Sequence, residues 1–326
     1  MSNKPVGSLS IDLDNKWAYL RAAGNADWET ASSYLPMATQ RIVDLLGELN
    51  LPLTVFLVGR DLDDESDVDA IHHFDQLGQW EPANHSLNHL PWMHTMSDSE
   101  IQSEIMTTHD RIFSRFGTRP VGFRGPGFSC PTEVLRVLIR NDYSYDASIF
   151  PTSMAPVARA VFLARTNLQG EEREKAKKLY GGFDAMRNPN RPFVRQEQVD
   201  GQTHRLREIP VSTLPFLRTP IHFSYVTFLA TFSVTLAKLY FASALNLCRL
   251  TGTAPSLLLH PPDFLGCEDD ADMAYFPGMK MSRDAKLSFM RWALSKFANE
   301  FNVLTMREQT ETLAMAQTAT PQPATT

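Results

Sequence analysis

Two aspartates two residues apart, Asp12 and Asp14, and two histidines four residues apart, His85 and His89, are the side chains best suited to hold and use a metal ion. Imidazoles at that spacing share one face of a helical turn and can bind one cation, with a carboxylate as third ligand. Three protein ligands leave one coordination position for water, which is the form of a hydrolytic site rather than a structural one. Taken singly, each pair has an ordinary reading, because aspartates after strands cap helices or make turns and histidine pairs decorate surfaces. Placement raises their value. Asp12 and Asp14 close the apolar run Leu9-Ser10-Ile11, and the histidines sit in Asn84-His85-Ser86-Leu87-Asn88-His89. Three further segments fall at expected strand ends: Arg124-Gly125-Pro126-Gly127-Phe128-Ser129, Tyr145-Asp146-Ala147-Ser148, and Leu259-His260-Pro261-Pro262-Asp263.

The elements that must carry these segments are short apolar runs alternating with helical patterns, which predicts parallel strands with crossover helices. Strands are expected over 9–11, 53–57, 143–150, 206–211, 256–259 and 302–305, and helices over 37–49, 97–116, 132–141 and 282–301. Ser97 with Glu100 reads as a capping box, and Thr132 as an N-cap. Catalytic groups collect at one rim of such a sheet or barrel, where the loops converge. Residues 152–205 look like an insertion with a helix and a long loop: a charged run at 171–178 is followed by Gly181, Gly182, Pro189 and Pro192. Residues 222–250 are mostly apolar and read as a pair of buried helices. One domain is expected over 1–310, with a disordered tail at 311–326.

With 43% apolar residues, 326 positions suffice for a full core. The net charge of -6 and the lack of a Lys/Arg block argue against a nucleic-acid partner. Three scattered cysteines make no disulfide framework and point to a reducing compartment. The polar N-terminus leaves no room for a signal peptide, so a cytoplasmic location is expected. The uncharged part of 222–250 is short for a membrane span. It allows peripheral contact with the inner face of a membrane.

In order, spacing and residue type the five segments resemble the polysaccharide deacetylase family, the NodB-homology group related to carbohydrate esterase family 4, from about Ser8 to Gly266. The resemblance implies an α/β fold, a distorted (β/α)7-type barrel with a helical insertion. It implies a divalent metal, Zn²⁺ foremost, held by Asp14, His85 and His89. It casts Asp12 as base, His260 as acid and Arg124 as the group holding the catalytic aspartate, with a backbone N–H near Phe128 on the oxyanion. Tyr-Asp-Ala-Ser matches a further motif loosely and gives Asp146 a supporting place. The first motif departs from the common form: Asp-Leu-Asp replaces adjacent aspartates. That spaced form belongs to a branch with peptidoglycan deacetylase-like and cyclic-amide hydrolase-like members, so the substrate and the division of roles between Asp12 and Asp14 stay open.

An unactivated amide resists water because the nucleophile is weak and the amine leaves poorly until protonated, so a base, an acid and an electrophile are all needed. The leading reading is a hydrolase removing an N-acetyl or similar acyl group from an amino-sugar glycan or lipid-linked sugar. Arg218 and His222, which precede the apolar stretch, are candidates to meet a polar or anionic substrate. The alternatives are hydrolysis of a small cyclic imide or ureide and non-catalytic carbohydrate binding.

Overall fold

The central strands are buried on both faces, and their sequences show why. Leu9 and Ile11 of β1 (Val6–Asp12) and every residue of β2 (Leu53–Leu57) are buried. Near-continuous apolar runs of this kind belong to parallel sheets covered by helices. The computed structural model describes residues 4–165, 169–170, 173–174 and 186–318. Beside β1 and β2 it places β3 (Trp80–Asn84), β4 (Gly122–Phe123), β5 (Tyr145–Asp146), β6 (Phe193–Val199), β7 (Gln202–Glu208), β8 (Ser256–Leu259) and β9 (Asn302–Leu304) in one sheet. The order is β6-β7-β5-β4-β3-β2-β1-β8, with β9 also on β1. Among the described strands only β6 and β7 pair antiparallel.

The chain after β7 runs from the β5 side of this path to β8. Ile209 N–H donates to Asp146 O at 2.9 Å, Val211 N–H to Ile149 O at 2.9 Å, and Ser212 N–H to Ser256 O at 3.1 Å. The sheet thus curls into the expected distorted barrel. Around it run α1 (Lys16–Ala22), α2 (Leu35–Glu48), α3 (Glu65–Ile71), α4 (Asp98–Phe116), α5 (Thr132–Arg140), α6 (Ala155–Arg165), α7 (Phe223–Phe232), α8 (Val234–Leu250), α9 (Arg283–Glu300) and α10 (Met306–Thr318). The main core packs Leu9, Ile11, Val55 and Leu257 of the sheet against Ile42 and Leu46 of α2, Phe241 and Leu245 of α8, and Phe289 and Phe297 of α9.

Ser97 and Glu100 form the capping box of α4. Several other expectations are corrected. Thr132 does not cap α5. Pro131 occupies the N-cap with extended backbone, which makes Thr132 the first helical residue. The strand expected over 143–150 pairs only at Tyr145–Asp146. The long loop foreseen late in the insertion is instead the hairpin β6–β7, turned at Asp200 and Gly201, whose φ values are 52° and 77°. Asp-Gly is the residue pair that tolerates two successive positive φ angles, so the signal was there to read. Of the charged run at 171–178, only Arg173 and Glu174 lie within the described residues, and Gly181 and Gly182 lie outside them.

The tail expected from 311 begins as helix, because α10 extends to Thr318. Its start is fastened by Thr305 and Glu308. Thr305 N–H donates to Glu308 Oε2 at 3.0 Å and Glu308 N–H to Thr305 Oγ1 at 3.3 Å. Met306, Gln309 and Thr310 are buried. The apolar pair α7 and α8 is only half covered. Phe223, Val226, Ala237, Phe241 and Leu245 join the core, while Phe232, Leu236 and Leu239 are 77%, 66% and 60% exposed. Among the described residues no helix is long and apolar enough to cross a membrane.

Candidate metal centre

Strand register brings the chemical residues to one rim. Asp12 is the last residue of β1, paired with Phe56 of β2. His85 follows Asn84, the last residue of β3; Arg124 follows Phe123, the last of β4; His260 follows Leu259, the last of β8. Asn84 pairs with Phe123 and Ile11 with Leu259, so these ends lie at nearly one level.

Asp14, His85 and His89 offer ligand atoms that all lie within 4.8 Å of one another. Asp14 Oδ1 is 3.3 Å from His85 Nε2 and 3.0 Å from His89 Nε2. It is a buried oxygen with no hydrogen-bond partner among the described residues. His85 Nδ1 lies 2.6 Å from Arg124 O. A carbonyl only accepts, so Nδ1 carries a proton and Nε2 presents its lone pair, the tautomer of a metal ligand. Two imidazole nitrogens facing one carboxylate oxygen in a buried place need a proton or a cation between them. The residues therefore fit a divalent metal of the kind bound by nitrogen and oxygen donors. Burial by itself would raise the Asp14 carboxyl, but His89 and His85 hold it well below the usual carboxylate range. Burial likewise opposes charge on His85, yet Asp12 and Asp14 raise its imidazole above the ordinary value.

The histidines do not share a helical turn, and that expectation is corrected. Residues 85–89 form a loop in which Ser86 and His89 take φ of 64° and 49°. Its shape is imposed from outside. Ser86 N–H donates to Asn84 Oδ1 at 2.9 Å, while Leu87 and Asn88 N–H donate to Glu104 Oε2 of α4 at 3.0 and 2.9 Å. Arg21 of α1 donates to the carbonyls of Asn88 and His89. A carboxylate that takes up backbone donors in this way favours a tight loop over a helix. Glu104 escaped the sequence reading because in α4 it looks like any helical glutamate.

Asp12 and His260 flank this cluster. Asp12 Oδ1 accepts from Arg124 Nη1 at 2.6 Å, and its Oδ2 lies 3.8 Å from His85 Nε2 and 3.9 Å from His260 Nε2. Arg124 is wholly buried. Its remaining donors reach Ala147 O at 2.9 Å and Ser10 Oγ at 3.1 Å, and its guanidinium lies 4.1 Å from the centre of the Phe56 ring. His260 Nδ1 meets Ser224 Oγ at 3.0 Å, and Ser224 Oγ donates to Asp263 Oδ2 at 3.2 Å. Burial raises the Asp263 carboxyl, opposed by His260, Lys286 and Ser224.

The other candidates separate. Phe128 takes φ of 63° and its N–H donates to Gly125 O at 2.9 Å, while Ser129 N–H donates to Pro126 O at 3.1 Å. Those two amides are spent inside the turn, so neither is a free oxyanion donor in this conformation. Tyr19 supplies an unspent donor nearby: its hydroxyl is buried without a partner among the described residues. Burial and the charges of Asp14 and Asp263 hold its phenol well above the usual range, so it stays protonated. Asp146 pairs with Phe123, one residue short of Arg124 in register, and so lies behind the rim. It accepts from Ser148 Oγ, which in turn accepts from Gly125 N–H at 2.8 Å, and Arg195 lies 3.7 Å away.

His222 reaches the site, with its ring 6.5 Å from that of His260. Burial, with His260 beside it, pushes it down to about 3, so its ring is neutral. Arg218 contributes its backbone, whose carbonyl accepts from Ser153 N–H at 2.9 Å. Its guanidinium has no ion pair among the described residues, and burial lowers its basicity.

Comparison with known proteins gives a consistent result. The polysaccharide deacetylase family model matches residues 28–145, a stretch containing His85, His89 and Arg124. A Mycobacterium smegmatis protein assigned to the polysaccharide deacetylases has a similar structure, with a TM-score of 0.57 at 16% identity, covering 100% of this chain and 98% of that one. The Xyl-CE4 domain of a multidomain xylanase from the hindgut metagenome of Trinervitermes trinervoides gives 0.47 at 13% identity, covering 96% and 92%. No curated protein matches the sequence. The sequence match to the polysaccharide deacetylase family thus covers residues 28–145, and over the whole chain the fold resembles that of the Mycobacterium smegmatis protein.

Proposed function

We propose that the protein is a metal-dependent deacetylase that removes an acetyl or similar acyl group from an N-acylated amino sugar. The observation that supports this reading is the convergence of Asp14, His85 and His89 on one point, with Asp12 Oδ2 beside it, 3.8 Å from His85 Nε2 and 3.9 Å from His260 Nε2. A divalent cation held there, zinc by the donor set, would supply Lewis acidity to the acyl carbonyl and acidify the attacking water. Asp12, aimed by Arg124, takes the proton of that water. His260 Nε2 gives a proton to the departing nitrogen, without which the amine would leave poorly. The Tyr19 hydroxyl stands as a donor to the substrate. The exposed Phe232, Leu236 and Leu239 favour a glycan carried on a lipid over a free one.

The test is acetate release from free and lipid-linked N-acetyl sugars, with metal content measured on the same preparation. One equivalent of metal and activity lowered about 10²- to 10⁴-fold in Asp12→Asn are expected. Substoichiometric metal, or Asp12→Asn at wild-type rate, overturns the reading. Equal rates on the two sugars remove its lipid-linked part.

A further inference from the structure

The side chain that meets His260 Nδ1, Ser224, lies outside the five segments that define the site, and its partner Asp263 closes the segment of His260 itself. Ser224 is the second residue of α7 and is buried. It stands with its hydroxyl between His260 Nδ1 at 3.0 Å and Asp263 Oδ2 at 3.2 Å. Asp263, also buried, accepts with the same Oδ2 from the backbone N–H of His260 at 2.9 Å. Its other oxygen lies 3.3 Å from Thr227 Oγ1, one turn along α7. Close by, the buried Lys286 ammonium donates to Pro262 O at 2.8 Å. Asp146, the carboxylate that the sequence would offer for a supporting part, is engaged elsewhere with Ser148 and Arg195.

We infer that Ser224 and Asp263 are positioning residues that set the tautomer of His260. A serine hydroxyl has one proton. An oxygen of Asp263 that already accepts a backbone N–H is an acceptor, so the proton of Ser224 goes to it. The lone pair of Ser224 Oγ must then accept from His260 Nδ1–H, since a second proton is not there to give. With Nδ1 protonated, the exchangeable position is Nε2, the nitrogen that lies 3.9 Å from Asp12 Oδ2 and faces the metal cluster. With Nδ1 kept protonated by the hydroxyl, a proton taken up at Nε2 is the labile one, so the ring acts as acid from its doubly protonated form and returns to the Nδ1–H form once Nε2 has given that proton to the departing nitrogen. Because Ser224 lies in the first turn of α7, the apolar helix pair is coupled to the acid through one hydrogen bond. This inference rests on the proposed deacetylation for its kinetic arm, and on the contacts alone for its spectroscopic arm.

The experiment uses the zinc-loaded full chain with ¹⁵N-labelled histidine. In wild type the neutral His260 ring is expected to show a protonated Nδ1. Ser224→Ala is expected to release it towards the Nε2–H form, to lower kcat on the order of tenfold with KM and metal content unchanged, and to be rescued by Ser224→Thr. Should Ser224→Ala destabilise the fold, Asp263→Asn read by the same resonances serves in its place. A wild-type ring protonated at Nε2, or a tautomer unmoved in these variants, overturns the inference. If no substrate is turned over at all, the deacetylase reading fails while the resonances still decide the relay.

Discussion

Asp12 and His260 both approach the metal cluster without being counted among its ligands, and their surroundings predict different consequences of losing them. Asp12 neutralises the wholly buried Arg124, so its removal touches both chemistry and packing. His260 is partly exposed and bonded through a single hydroxyl, so its removal is confined to the chemistry. His260→Ala is expected to lower kcat about 10²- to 10⁴-fold, with bound metal and melting temperature close to wild type. Loss of metal in that variant, read by elemental analysis, would instead make His260 a ligand.

At the scale of elements, the decisive partnership is between α4 and the loop that follows β3. Glu104 accepts three hydrogen bonds from that loop, two from backbone amides and one from Asn88 Nδ2 at 2.6 Å. It thereby holds Ser86 and His89 in left-handed backbone that non-glycine residues rarely adopt. Outer carboxylates of this kind commonly govern metal affinity by about 10- to 100-fold. Glu104→Ala should weaken zinc binding by that factor in a competition titration while every ligand stays in place. Unchanged affinity would mean that the loop holds its shape without α4.

For the whole molecule, the cluster ties β1 to the loop after β3, and its protonation is linked to folding. The Asp14 carboxyl is depressed, so its contribution is present above its unfolded value of about 3.9 and is lost as the pH falls through its lowered folded value. The His85 imidazole is raised, so its contribution is full below about 6.5 and is lost as the pH rises through its raised folded value. Both act together between about pH 4 and 6.5 in the metal-free protein. Above that range a cation can take the place of the proton. Added zinc should therefore raise the melting temperature clearly at pH 7.5 and much less at pH 5.5, since a ligand at 100 times its Kd contributes about 2.7 kcal/mol. An equal rise at both values would show that the cation does not compete with the His85 proton.

Much of the barrel was readable in the chain because its signals are local. Apolar runs of strand length, the Ser97 capping box and the Asp-Leu-Asp, Asn-His-Ser-Leu-Asn-His and Leu-His-Pro-Pro-Asp segments each occupy a few consecutive residues. The Asp-Gly turn of the β6–β7 hairpin and the Thr305–Glu308 cap of α10 were equally local, but a charged insertion and a polar tail masked them. What the chain could not disclose is any contact whose geometry is set by a distant element. Arg124 reaches Asp12 across 112 positions because β4 and β1 end at one level of the sheet. Glu104 bends the histidine loop, and Ser224 meets His260, only once helices have packed onto the rim. Residue type determined which groups could do chemistry, since donors, acceptors and ligands are properties of side chains. Register and packing alone decided which nitrogens face the Asp14 carboxylate and which carboxylate stands beside them, because those depend on distances of a few ångströms between segments far apart in sequence.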